Sequence, residues 1–193
     1  RHNDFNRGII IWQLNDCWPV CSWSGIDYYG RWKAQQYYTR RFYAPVLVSA
    51  QEHGLLVDFY VILDGLASYE GELVWSLETK DEVLENGSFS IQGQANRSVL
   101  VGTRDFGKHA KHHGHMYLRY HLNGSAEEAG IKTILFCPAK DFSFAPAELS
   151  WEVEETKTNF EITVSCKNLV KGVMLDLTEG DAIFSDNFFD LKG

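Results

Sequence analysis

The spacing of apolar positions changes along the chain and predicts elements of different kinds. A mostly apolar run with β-branched residues from Gly8 to Leu14 is followed by a polar and aromatic loop, and then by a segment with helical spacing. Because such β-branched runs are typical of strands buried on both faces, we predict a strand at Gly8 to Leu14 and a helix at Arg31 to Phe42. Ala44-Pro45 should end this helix, since proline cannot continue it.

Residues 46–140 alternate apolar and polar positions, as in Leu73, Trp75 and Leu77, which should share one face of a strand. Turn dipeptides separate the candidate strands at His53-Gly54, Asp64-Gly65, Asn86-Gly87 and Asn123-Gly124. The predicted strands are Val46 to Ala50, Leu55 to Leu63, Gly71 to Glu78, Phe89 to Ile91, Val99 to Val101, Met116 to Leu122 and Ile131 to Cys137. Seven short strands in this length predict an immunoglobulin-like sandwich.

Residues 141–193 alternate again and predict strands around Trp151 and Val153, from Phe160 to Val164, and from Val173 to Leu177. About four strands are too few to close a second sandwich, so we expect a partial one. The predicted fold class is therefore mainly β. The expected domains are 1–45 (a strand, loop and helix), 46–140 (a complete sandwich) and 141–193 (a partial sandwich).

Composition excludes some partners. The formal charge is −8, and nucleic-acid binding needs clustered Lys and Arg, so we expect no nucleic-acid partner. No segment approaches the roughly twenty apolar residues of a membrane span, so we expect no membrane partner.

Four histidines, His109, His112, His113 and His115, lie close together and could ligate zinc or nickel. Neighbouring lysines would repel a cation, so we expect an exposed basic loop without a metal.

The stretch after Gly8 resembles the end of the catalytic barrel in β-mannosidases of glycoside hydrolase family 2. The pattern of that family is a strand ending in W-Q-L-N-D, then W-P, S-W-S and D-Y-x-G-x-x-K, and all of these occur from Trp12 to Lys33. The middle segment GELVWSL resembles the immunoglobulin-like mannosidase domain of this family, which we therefore expect at residues 46–140. The tail FSDNFFDL, Phe184 to Leu191, resembles the C-terminal domain of the family, which implies a partial second immunoglobulin-like sandwich at residues 141–193. The resemblance implies that residues 1–45 are the last strand, loop and helix of a (β/α)8 barrel.

The same resemblance implies a substrate-binding role for Trp12, Asn15 and Asp16. A sugar has an apolar ring face edged by hydroxyls, so its site needs an aromatic platform beside small hydrogen-bonding groups. In the family, the tryptophan at the position of Trp12 forms the floor of the subsite for the mannose that is cleaved. Loop packing of Trp18 and Trp23, and ordinary loop capping by Asn15 and Asp16, are the alternatives.

The catalytic residues of the family have no counterpart here. Retaining glycosidases hold two carboxyl groups about 5 Å apart, and in this family both glutamates lie on earlier barrel strands. Arg1 precedes only the last strand, so we expect the C-terminal part of a retaining β-mannosidase, inactive alone, with no catalytic residue and no cofactor. Its expected partners are a β-mannoside substrate and the rest of its own barrel. The alternative is a non-catalytic carbohydrate-binding or structural β-sandwich module.

A lone barrel strand has no neighbour to pair with. We therefore expect Ile9 to Ile11 to be rearranged, to pack against a second chain by self-association, or to lie on the first sandwich.

The sequence resembles the bacterial members of the family more than the lysosomal ones, which predicts a cytoplasmic location, with a periplasmic or secreted location as the alternative. The four cysteines are expected to be free, reduced thiols.

Overall fold

The computed structural model describes residues 9–65, 67–123 and 131–193, which are mainly β-structure. The helix α1 spans Ala34–Phe42, close to the predicted range. Among the described residues, no helix has the length and apolar character needed to cross a lipid bilayer. The strands are β1 (Val46–His53), β2 (Leu56–Leu63), β3 (Tyr69–Glu78), β4 (Val83–Gly93), β5 (Arg97–Asp105), β6 (Tyr117–Asn123), β7 (Lys132–Leu135), β8 (Ser150–Glu155), β9 (Phe160–Ser165), β10 (Val170–Val173) and β11 (Phe189–Leu191).

Strands β1 to β7 form two antiparallel sheets, with strand orders β1-β2-β5 and β4-β3-β6-β7. Each of the seven strands predicted for this region forms, which confirms the immunoglobulin-like sandwich. The two inner faces meet in one core, because alternate side chains of each strand point to the same side. Leu73, Trp75 and Leu77 are buried as predicted, and Phe59 of β2 packs against Trp75 with ring centroids 6.3 Å apart.

The predicted turn at Asn86-Gly87 is wrong, because both residues lie inside β4. Gly87 is paired with Trp75 of β3. A Cβ atom at Gly87 would lie 2.8 Å from the Trp75 ring, so the glycine leaves the space that the indole occupies. A glycine in a strand often marks such a close approach rather than a turn. The predicted Asn123-Gly124 turn lies partly outside the described residues.

The last region contains two separate two-stranded antiparallel sheets, β8-β9 and β10-β11. The strand predicted at Val173 to Leu177 is displaced, because β10 covers Val170–Val173 and pairs with β11. The residues after Val173 leave the sheet, and the backbone of Leu175 bonds to the Asn187 side chain instead, with N–H to Oδ1 at 2.7 Å and Nδ2 to the carbonyl at 2.8 Å. A side-chain amide therefore replaces a strand partner here.

The predicted strand from Gly8 to Leu14 is not present in its described part, residues 9–14. A strand of a parallel barrel needs neighbours on both sides, and the described residues provide none beside it. The carbonyls of Gln13 and Leu14 instead accept bonds from the N–H groups of Gly25 and Ile26. Ile10 is 93% exposed. Among the three expected outcomes, this corresponds to rearrangement of the segment.

Candidate functional site

The polar and aromatic segment from Trp12 to Lys33 folds back on itself through backbone hydrogen bonds. Ile26 forms one bridge with Asn15 and another with Trp32. The N–H of Asp16 donates to the Ile26 carbonyl at 3.0 Å, and the N–H of Lys33 donates to the Gly25 carbonyl at 2.9 Å. Residues far apart in this segment are thereby brought close, and Lys33 reaches Asp16 just before α1 begins.

Asp16 lies at the centre of the segment and is only 3% exposed. Its Oδ2 lies 3.0 Å from the Lys33 Nζ, and its Oδ1 accepts a hydrogen bond from the Ser22 hydroxyl. The same ammonium group donates to the Ser24 Oγ at 2.8 Å. The hydrogen bond from Ser22 is the largest cause that lowers the pKa of Asp16, and Lys33 and Ser24 add to it against the opposing effect of burial. Both carboxylate oxygens are thus bonded within the loop.

This geometry supports loop stabilisation as the role of Asp16, and direct contact with a substrate stays a prediction. Sequence reasoning did not identify Lys33, Ser22 and Ser24 as partners of Asp16. Lys33 is 17 positions away, and no local pattern links a lysine and a carboxylate at that separation. The family pattern contained all of these residues, but a pattern alone does not show which of them touch.

Trp12 and Asn15 lie on the surface of the same segment. The Trp12 side chain is 71% exposed, and the peptide bond between Trp12 and Gln13 is cis. Asn15 is exposed, and its Nδ2 donates to the Asp16 carbonyl at 3.1 Å. The indole therefore presents a large aromatic surface beside a polar side chain. Substrate binding by Trp12 and Asn15 stays a prediction.

A second carboxylate, Asp27, shapes the end of the segment. Its Oδ1 accepts from the N–H groups of Tyr29 and Arg31, both at 2.9 Å, and its Oδ2 lies 2.6 Å from the Arg31 Nε. Burial tends to raise the pKa of Asp27, but these bonds from Arg31 and Tyr29 outweigh it and lower the pKa. Gly30 has φ +87°, a backbone conformation that favours glycine. This turn leads the chain into α1.

The N-terminal segment exposes an unusual amount of apolar side chain. Its large exposed residues are Ile9, Ile10, Trp12, Leu14, Trp18, Val20, Trp23, Tyr28 and Tyr29, which we call the N-terminal apolar surface. Single exposed hydrophobic residues are normal, whereas a concentration of them in one short segment is typical of an interaction surface.

Helix α1 is joined to the tail of the chain. The Tyr37 ring is buried, its hydroxyl accepts from the Phe184 N–H at 3.2 Å, and it packs on Phe188 with centroids 6.0 Å apart. The Arg41 guanidinium binds the Asp186 carboxylate at 2.6 Å and the Phe188 carbonyl at 3.0 Å. The tail is therefore attached to the same helix that follows the candidate site.

Comparison with known proteins supports a relationship to β-mannosidases. Residues 144–193 match the Ig_mannosidase model, which describes an Ig-fold domain. β-Mannosidase B of Thermothelomyces thermophilus is 25% identical across 97% of this chain and 25% of its own length. β-Mannosidase of Mus musculus is 46% identical over 55 residues, which are 28% of this chain and 6% of that protein. The chain thus spans a quarter or less of the length of these relatives.

Two solved structures share the fold. A crystal structure of a β-D-mannosidase from Dictyoglomus thermophilum matches 94% of this chain and 22% of its own, with a TM-score of 0.79 and 24% identity. The exo-chitosanase CsxA of Amycolatopsis orientalis matches 93% of this chain and 26% of its own, with a TM-score of 0.60 and 10% identity. We conclude that residues 144–193 resemble an Ig_mannosidase domain and that the chain is similar over nearly its whole length to part of the β-mannosidases.

Proposed function

We propose that this chain is the non-catalytic C-terminal part of a retaining family 2 β-mannosidase, and that the segment from Trp12 to Lys33 forms one wall of its mannose site. The observation that carries the proposal is the exposed Trp12 on a loop held in place by the ion pair between the buried Asp16 and Lys33. A flat aromatic surface on a fixed loop can stack on the apolar face of a sugar ring. The similarity to β-mannosidases across 97% of the chain supports mannose as that sugar.

The N-terminal apolar surface supports the second part of the proposal, that residues 1–45 complete the catalytic barrel of the parent enzyme. A terminal barrel strand is buried on both faces by its neighbours, so its side chains are exposed when those neighbours are missing. Ile9 and Ile10 are exposed in this way, with 51% and 93% of their surface accessible to solvent. In the parent enzyme, the barrel would cover them and would supply both catalytic glutamates, so the chain alone should not hydrolyse a glycoside.

The proposed domain division places boundaries near residues 45 and 140. Helix α1 ends at Phe42 and β1 begins at Val46, so the first boundary falls in a short connection. The second falls in the short 3₁₀ helix Ala139–Asp141 that follows β7, and extended chain leads from there to the separate sheet β8-β9. We also propose a cytoplasmic location, which the free thiols of the cysteines support because reducing compartments keep thiols unpaired.

The first experiment tests the chain by itself. We would incubate it with an aryl β-mannoside and measure release of the aryl group, and separately titrate it with β-mannose oligomers by calorimetry. We expect no turnover and no tight binding, because only one wall of the site is present. Turnover would contradict the absence of the catalytic glutamates. Tight binding without turnover would instead establish the alternative function, a carbohydrate-binding module.

The second experiment tests Trp12 in the complete parent enzyme. Trp12→Ala should reduce kcat/KM for an aryl β-mannoside by roughly two- to tenfold, because stacking on an aromatic ring contributes about 0.5–1.5 kcal/mol. Trp151→Ala is the matched control, since Trp151 is similarly exposed, at 69%, but lies on the distant strand β8. Equal kinetics for Trp12→Ala and the wild type would overturn the proposed role.

A further inference from the structure

Two imidazole nitrogens converge on the outside of the sandwich, far along the chain from the candidate sugar site. The Nδ1 of His112 lies 3.0 Å from the Nε2 of His115, and the two ring centroids are 5.1 Å apart. Two nitrogens bound to one tetrahedral zinc ion at 2.0–2.1 Å would be about 3.3 Å apart. The observed separation therefore needs to change by only a few tenths of an ångström to hold one metal ion.

The backbone produces this convergence. Residues Gly107–His112 form a 3₁₀ helix, in which side chains three positions apart lie on the same face. The His112 carbonyl then accepts bonds from the N–H groups of His115, at 2.9 Å, and Met116, at 2.8 Å. This turn continues the three-residue spacing beyond the helix and places His115 against His112. His113 falls outside this spacing and is exposed.

Part of the positive charge expected to repel a cation here is neutralised by a carboxylate. Lys108 was expected to repel one, but its ammonium lies 2.9 Å from the Glu85 carboxylate, which also binds the His109 Nε2 at 2.8 Å. A metal ion binds an imidazole through the lone pair of an unprotonated ring nitrogen.

We propose that His112 and His115 form a two-histidine binding site for a late divalent transition metal ion, with zinc as the tested case. One nitrogen of the pair must now donate a hydrogen bond to the other. When the metal binds, that proton moves to the far nitrogen of the same ring, so both facing lone pairs reach the ion and no net proton is released. Water would complete the coordination, since the described residues contain no group of three or more His, Cys, Asp or Glu side chains able to hold a metal.

Calorimetric titration with zinc chloride tests the proposal on the full chain. The background variant should carry Cys17→Ser and Cys21→Ser, because these cysteines are free and exposed and thiolates bind zinc strongly. We expect one zinc ion per chain, and no heat from magnesium chloride, because imidazole is a poor ligand for that hard cation. His112→Ala and His115→Ala should each weaken zinc binding by about tenfold or more.

His113→Ala is the matched control, because it removes a neighbouring histidine from outside the pair and should leave zinc affinity unchanged. The thermal unfolding midpoint of each variant shows whether that variant still folds. If either His112→Ala or His115→Ala does not fold, the other one still tests the proposal. The absence of zinc binding in the background variant would overturn the proposal. Equal losses in His113→Ala and His112→Ala would also overturn it, because they would show attraction to the loop as a whole rather than to one pair.

Discussion

The Arg41 guanidinium lies 2.6 Å from the Oδ1 of Asp186, a residue 145 positions further along the chain. The same guanidinium donates to the carbonyls of Asn187 and Phe188. One side chain thus holds three consecutive residues of the tail against α1. Since α1 follows the candidate site directly, this contact links the site segment to the region that matches the Ig_mannosidase model.

We expect Arg41→Ala to lower the free energy of unfolding by about 2 kcal/mol, because hydrogen bonds to charged groups contribute more than neutral ones. Arg40→Ala is the matched control. Arg40 also lies near Asp186, at 3.6 Å, but it is more exposed, so its removal should lower that free energy by at most about 1 kcal/mol. Urea denaturation followed by tryptophan fluorescence measures both variants. Arg40 also donates to the Ser185 carbonyl, so equal losses would show that the Arg41 contacts stabilise the tail no more than those of the exposed Arg40.

Packing inside the sandwich predicts the effect of a single methyl group. A Cβ at Gly102 of β5 would lie 2.1 Å from the Phe89 ring, which belongs to the aromatic core around Phe59. Gly102→Ala should therefore destabilise the protein by about 1–3 kcal/mol, the usual effect of overpacking. Gly114→Ala is the control, because a Cβ there meets nothing within 4 Å and should change stability by less than about 0.5 kcal/mol. The denaturant concentration at the unfolding midpoint is measured for both variants. Similar midpoints for Gly102→Ala and Gly114→Ala would contradict the close packing of Gly102 on the Phe89 ring.

A buried carboxylate, Glu78, should make stability depend on pH. Its oxygens bond to Lys192 at 2.7 Å and to the Tyr117 hydroxyl at 3.0 Å, and Arg119 lies 3.3 Å away. Burial tends to raise the pKa of Glu78, but hydrogen bonds from Lys192 and Ser76 and the charge of Arg119 outweigh it and lower the pKa below its ordinary value of 4.5. The folded state then holds the carboxylate ionised at a pH where the unfolded state binds a proton.

The stabilisation by Glu78 is therefore complete above about pH 4.5 and is lost as the pH falls through the lower, folded-state pKa. Glu78→Gln should be less stable than the wild type at pH 7, and its stability should fall less steeply below pH 4.5. Unfolding free energies measured from pH 3 to pH 7 check this difference. The exposed Glu154→Gln is the control and should follow the wild-type curve, and a Glu78→Gln curve parallel to the wild type would count against the ion pair with Lys192.

The hairpin β8-β9 predicts self-association of the isolated chain. Trp151 is paired with Val164, and Val153 with Ile162, so these apolar side chains share one face, while Glu152 and Thr163 are paired on the other. Trp151 and Val153 are exposed on that apolar face. An unpartnered apolar sheet face favours association between copies.

We expect the apparent mass of the chain in light scattering to rise with concentration, and Trp151→Lys to reduce that rise. Thr163→Lys adds the same charge to the polar face and should have little effect. A monomer at all concentrations, or equal effects of the two variants, would show that this face does not mediate association.

The strands and the core of the sandwich could be predicted from the sequence because apolar and polar residues alternate along each strand. The alternation alone predicts that Leu73, Trp75 and Leu77 share one face, and they are buried together. Gly87 could not be interpreted in this way. A glycine after asparagine is a common turn signal, and only its pairing with Trp75 on a neighbouring strand shows that it makes room for a ring.

The sequence by itself determined the mainly β character of the fold and the positions of most strands, and it proposed the residues of the candidate site, because spacing and motif are properties of neighbours along the chain. Only the tertiary structure decided what those residues touch: Asp16 bonds inward to Lys33, while Trp12 remains exposed. It also decided that His112 and His115 meet and that Arg41 holds the tail. Hydrogen bonds and ion pairs act over a few ångströms in space, so their partners depend on how distant segments pack.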